Sequence, residues 1–160
     1  MTYTAPKEIA VRIRKLLAAE GIPARSVSVR SDGNSVDVTI KDAAVGSDKV
    51  RAIAGQFEKI DRCQVSGEIL SGGNTYVSTK HDWQLVAVVE KYVAGKFADE
   101  VAAKGWGVWN GYQIAREDGG RWTAIKTGDA GSVLDSRCWD MAAAVSRVVQ
   151  DALRSGVVMA

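Results

Sequence analysis

The sequence predicts an α+β protein: an N-terminal antiparallel sheet covered by helices in the order αββαββ, a long linking helix, and a C-terminal ββα unit. Three observations carry this reading. Apolar residues recur at helical spacing in four separate segments, they alternate with polar residues between those segments, and Asp-Gly or Gly-Gly pairs punctuate the alternating runs. The corresponding boundaries are residues 1–80, 81–104 and 105–160.

The first helix is expected from about Ala5 to Ala19, with Ile9, Ile13, Leu16 and Leu17 on one stripe. Pro6 suits the first turn, Glu8 complements the N-terminal dipole, and Gly21 ends the helix. Alternation then predicts two strands, one with Val27 and Val29 and one with Val36, Val38 and Ile40. The Asp32-Gly33 pair turns the chain between them. A second helix, capped by Ser47 or Asp48, carries Val50, Ile53, Ala54 and Phe57. A weaker hairpin is read through Cys63, Val65 and Ile69, the turn Ser71-Gly72-Gly73-Asn74, and Thr75 to Ser78.

A long helix should run from Asp82 to about Ala103, with a bend or a close helix contact at Gly95. The segment from Gly105 to Gly111 reads as a glycine-flanked loop holding Trp106 and Trp109. Tyr112–Arg116 and Arg121–Lys126 form a hairpin around Gly119-Gly120, a loop with Gly128 and Gly131 follows, and Ser136 caps a last helix from Trp139 to Leu153.

Composition narrows the function classes. Hydrophobic residues make up 46% and charged residues 25%, as in globular domains, so a disordered chain is not expected. The net charge is +2, with 12 basic and 9 acidic residues up to Lys80 and 9 and 10 beyond it. Neither half has the basic excess of a duplex-gripping protein or the acidic excess of a nucleic-acid mimic. Two distant cysteines, Cys63 and Cys138, read as thiols of a reducing cytoplasm. No signal-peptide core or membrane-length apolar run is found, so a soluble cytoplasmic protein is expected.

No catalytic, metal or cofactor motif is assembled. His81 is the only histidine, and its neighbour Asp82 would not face it on a helix. Zinc or calcium spacing is missing, and the glycine runs lack the lysine of a phosphate loop. The expectation is therefore no enzyme, no metal and no cofactor. The aromatic residues are more informative. Trp106, Trp109, Trp122 and Trp139 crowd the last third, with Arg116 and Arg121 flanking its hairpin. Such residues fill cores, anchor protein interfaces or stack bases. Trp122 alternates as a core residue, whereas Trp106 and Trp109 are the expected exposed pair.

One resemblance adds context. The run Lys7 to Leu17, then Ser28-Val29-Arg30-Ser31, Ser35-Val36-Asp37-Val38, Val50 to Glu58 and Tyr76-Val77, is similar to large polyvalent protein-associated domain twenty-nine, found in multi-domain proteins of phages and conjugative elements. It covers about residues 5 to 79, and Ser28, Arg30, Ser35 and Asp37 match its motif. Arg30 and Asp37 also read more simply as a pair across the hairpin.

The resemblance implies cargo of a mobile element. With the small size and the exposed tryptophans, it suggests a protein that binds a host defence complex, protein or ribonucleoprotein, and blocks it sterically as anti-CRISPR proteins do. Trp106, Trp109, Arg30, Arg116 and Arg121 are the partner-binding candidates. The alternative is a nucleic-acid-binding adapter or regulator, and homodimerisation through a sheet edge or the long helix stays open.

Overall fold

A computed structural model describes residues 4–70, 72–128, 132–157 and 159. The α+β class is as the sequence predicts: the described residues form four α-helices and two sheets, with a long helix between the sheets in chain order. The chain divides into two compact units, Met1–Asp82 and Trp83–Ala160.

In the first unit, helix α1 (Pro6–Ala19) buries Pro6, Ile9, Ala10, Ile13 and Leu17, while Leu16 of the expected stripe stays largely exposed. Its end is a Schellman motif: the Gly21 N–H donates to the Ala18 carbonyl and the Ile22 N–H to the Leu17 carbonyl. Gly21 takes a φ of 75°, which a residue without Cβ adopts at least cost. Strands β1 (Val27–Asp32) and β2 (Ser35–Ile40) form the expected antiparallel hairpin, in register Arg30 to Asp37. Helix α2 (Ser47–Ala54) is shorter than expected and continues as a 3-10 turn at Gly55–Phe57. Gly46 occupies its N-cap, in place of Ser47 or Asp48.

The expected second hairpin is corrected. Strand β3 (Tyr76–His81) pairs with β2 in parallel, giving the order β1-β2-β3, because the chain crosses over through α2 before rejoining the sheet. Residues 58–70 and 72–75 form a loop held by single bridges at Lys59–Thr75 and Arg62–Ile69, not a strand pair. Val65, expected in a strand, is 97% exposed. Buried Asn74 does the strand's work here: its side-chain oxygen accepts the Asp61 N–H at 2.7 Å and its amide donates to the Leu70 carbonyl at 2.7 Å. Ser71 of the expected turn lies outside the described residues.

The core of this unit joins Ile9, Ile13 and Leu17 of α1 to Val27, Val29, Val36, Val38 and Ile40 of the sheet and Val50 of α2. Burying each such side chain contributes roughly 1.5–3 kcal/mol.

In the second unit, helix α3 (Trp83–Lys104) carries apolar residues on all sides but buries only Val89, Val93 and Phe97, four residues apart. Gly95 makes no close contact, since an added Cβ would meet nothing within 4 Å. Four antiparallel strands follow in the order β4-β5-β6-β7: β4 (Trp106–Trp109), β5 (Tyr112–Arg116), β6 (Trp122–Lys126) and β7 (Ser132–Cys138). The expected ββα unit therefore contains two more strands.

β4 reads as a loop in the sequence because glycines flank it, and β7, whose run Ser132–Cys138 has no strict alternation, pairs with β6 through register shifts. Gly131 lies outside the described residues. Helix α4 (Met141–Ser155) is capped by Asp140, whose carboxylate accepts the Ala143 N–H at 2.8 Å. Ser136, the expected cap, belongs to β7.

Candidate functional site

The strand registers sort every residue of the second sheet onto one of two faces. Gly107 stands against α3: a Cβ there would lie 3.0 Å from a ring carbon of Phe97. Its register partners Ile114 and Ala124 are fully buried on the same face. Tyr112, Lys126 and Asp135 also point to this side, because they bond to Asp151 and Arg147 of α4.

The opposite face therefore carries Trp106, Ala115 and Thr123 in one row and Val108, Gln113, Ile125 and Val133 in the next. Trp106 is 40% exposed, Val108 similarly so, and Val133 is 58% exposed. The exposed apolar side chains stand on the two outer strands, with half-buried Gln113, Ala115 and Ile125 between them, while Thr123 is buried.

Cations rim this face. The Lys104 ammonium sits 5.0 Å from the Trp106 ring centre. The Arg121 guanidinium lies 5.9 Å from the ring of Trp139, which is 83% exposed just ahead of the α4 cap. Each contact of this kind contributes about 0.5–1 kcal/mol at an exposed site. Arg116 is exposed at the end of β5, and its N–H donates to the Gly105 carbonyl.

Trp109 departs from expectation. It is half-buried on the helix side, edge-on to Tyr92 at 6.4 Å and stacked on Tyr112 at 6.2 Å, so it anchors β4 to α3. Trp122 is half-buried between Arg116 and Cys138 in the ladder. Of the partner-binding candidates, Trp106, Arg116 and Arg121 share the second unit's surface. Arg30 lies in the first unit, exposed on β1 opposite Asp37, whose carboxylate accepts the Ser78 hydroxyl. Trp83 and Trp139 are both strongly exposed; Trp139 is one of the four tryptophans of the last third but is not among the partner-binding candidates, and Trp83, at a helix start, gives no spacing signal.

Among the described residues six side chains have shifted pKa values, and three of them meet in one cluster. Tyr112 donates to the Asp151 carboxylate at 2.9 Å and Lys126 donates to the same oxygen at 2.9 Å. Burial raises the Tyr112 pKa, and the bond to Asp151 raises that of Lys126. Burial opposes ionisation of Asp151, but hydrogen bonds from Lys126 and Tyr112 outweigh it and hold the carboxyl below its usual value. The cluster ties α4 to β5 and β6 beside a hollow of about 250 Å³, and no motif in the sequence announced it.

His81, at the end of β3, is half-buried; burial lowers its pKa, and its Nε2 has no hydrogen-bond partner among the described residues. Hydrogen bonds from Ser66 and Val65 lower the Cys63 thiol to about 7, whereas burial raises that of Cys138. Among the described residues no three His, Cys, Asp or Glu side chains gather as a metal site would require. No described helix is long and apolar enough to cross a membrane.

No protein family, curated protein or solved structure matches the chain. The uncovered face of the second sheet is thus the feature on which a functional reading stands.

Proposed function

We propose that the chain acts by binding a partner protein through the uncovered face of the β4–β7 sheet, and that it works by covering its target rather than by catalysis. The observation that carries this is the run of apolar residues on that face, Trp106, Val108, Ala115, Ile125 and Val133, interleaved with Gln113 and Thr123 and rimmed by Lys104 and Arg121. Tryptophan and arginine around an apolar centre are the residue types that dominate binding energy at protein interfaces. The resemblance of the first half to a domain of phage and conjugative-element proteins suggests the class of target: a host defence complex, inhibited sterically.

A second reading, a nucleic-acid-binding adapter, is favoured by one observation. Arg121 beside the exposed Trp139 ring is an arrangement that can stack a base. Affinity capture of the tagged chain from bacterial lysate, with and without nuclease, separates the two. A stoichiometric, nuclease-resistant complex, whose activity the purified chain then inhibits, is the expected result. Recovery of nucleic acid, or of partners lost with nuclease, would replace the first reading with the second.

A further inference from the structure

Among the described residues strand β1 is an edge of the first sheet, with β2 on one side and no strand on the other. The Lys41 N–H donates to the Ser26 carbonyl at 2.8 Å, which fixes the alternation of the antiparallel ladder. Ser28 and Arg30 exchange bonds with β2, so the main-chain groups of Val27 and Val29 point outward, away from β2. Beside this edge lies a groove of about 240 Å³. Arg14, Leu17 and Ala18 of α1 form its second wall, and Ile22 lines it at the helix end.

Arg14 reaches across the groove and donates to the outward carbonyl of Val29, the position that the N–H of an added strand would take. No carboxylate pairs with Arg14 among the described residues.

We propose that this groove takes an extended peptide, which joins β1 as an additional antiparallel or parallel strand and places a carboxylate on Arg14. The Val27 N–H and carbonyl and the Val29 N–H supply the hydrogen bonds, as in strand addition to a sheet edge, while Arg14 keeps the Val29 carbonyl. Leu17, Ala18 and Ile22 accept an apolar side chain pointing toward the helical layer. The guanidinium, bonded to the Val29 carbonyl but to no carboxylate among the described residues, selects an acidic side chain, since a charge-assisted pair with a carboxylate is the stronger bond. This site lies in the first unit and is independent of the sheet face proposed above.

The test uses the full chain and a fluorescein-labelled valine/threonine heptapeptide ending in aspartate. Versions with asparagine at that position and with an amidated terminus tell a side-chain carboxylate from a terminal one. A display library of random linear octapeptides guards against a poor choice of sequence. Saturable binding is expected, with the largest amide shifts at Val27 and Val29 in nitrogen-labelled protein.

Ala18→Glu, at an exposed helix position, should abolish binding while the circular dichroism spectrum stays unchanged. Arg14→Gln should weaken the acidic peptide by about tenfold and leave the asparagine peptide unaffected. Three results would overturn the proposal: no saturable ligand from either source, binding that Ala18→Glu leaves intact, or a dimer sensitive to Ala18→Glu, which would make a second copy the occupant.

Discussion

The two sheets of this protein turn very different uncovered faces outward. In the first sheet, the residues alternating with the buried valines are Ser28, Arg30, Asp37, Thr39, Ser78 and Lys80, a polar surface knitted by the Asp37–Ser78 hydrogen bond. In the second sheet, the equivalent positions are Trp106, Val108, Gln113, Ala115, Thr123, Ile125 and Val133, five of them apolar. An antiparallel sheet with one face on its core normally solvates the other with polar residues. The first sheet follows that rule and needs nothing further. The second breaks it, and a sheet that keeps apolar groups in water without a packing reason points to a partner that removes them from water.

The most damaging way to test this contrast is to make the second face resemble the first. Placing charge on it with Val108→Asp and Val133→Asp should weaken partner capture at least ~30-fold, as expected when an interface centre carries about 2 kcal/mol or more. Both positions are exposed, so thermal stability should fall by less than about 1 kcal/mol. Unchanged capture would remove the face from consideration.

A smaller effect concerns the edge of the same sheet. The Val108 N–H points away from β5 and donates to the Glu100 carboxylate of α3 at 2.9 Å, so Glu100 blocks the β4 edge against pairing with another chain. Glu100→Ala should leave that donor open and produce concentration-dependent self-association in light scattering. A variant that stays at the same association state as the parent would show that the edge needs no guard.

These features were unevenly legible in the sequence. The α1 helix, the β1–β2 hairpin and the β5–β6 hairpin follow from local signals: a clean apolar stripe, strict alternation, and Asp-Gly or Gly-Gly turns. The expected strand Thr75–Ser78 overlaps β3, which runs on to His81, and its pairing differs because parallel pairing depends on a crossover that no local spacing encodes. β4 is four residues long, lies between Gly105 and Gly111, and holds a third glycine, Gly107, where Phe97 leaves little room for a side chain.

At the candidate site, Trp106 was legible as an exposed aromatic residue. Trp109 was not legible as a core residue, because its neighbours Tyr92 and Tyr112 come from different elements. The Tyr112–Asp151–Lys126 cluster likewise joins residues up to 39 positions apart in the chain.

The first unit has its own sensitive point. His81 is held neutral by burial, its pKa depressed below the ordinary 6.5. As pH falls below 6.5 the unfolded chain takes up this proton before the folded chain does, so the His81 contribution is complete above 6.5 and is lost progressively below it. Denaturant titrations at several pH values should show a decline below 6.5 that His81→Gln flattens. A decline of equal slope in the variant would assign the effect to other groups.

The smallest change is Gly95→Ala. With open space around the position inside α3, alanine should raise stability by up to about 1 kcal/mol without altering partner capture. A loss of capture there would extend the binding surface onto α3.

The central claim is that the apolar second face, and not the polar first one, meets the partner. The most direct measurement is quantitative affinity capture from nuclease-treated bacterial lysate with three forms of the chain: the parent, Trp106→Ala, and Lys80→Ala on the polar face. We predict that the captured complex is lost with Trp106→Ala and retained with Lys80→Ala. Retention with Trp106→Ala together with loss on Lys80→Ala would contradict the account and move the interface to the first sheet.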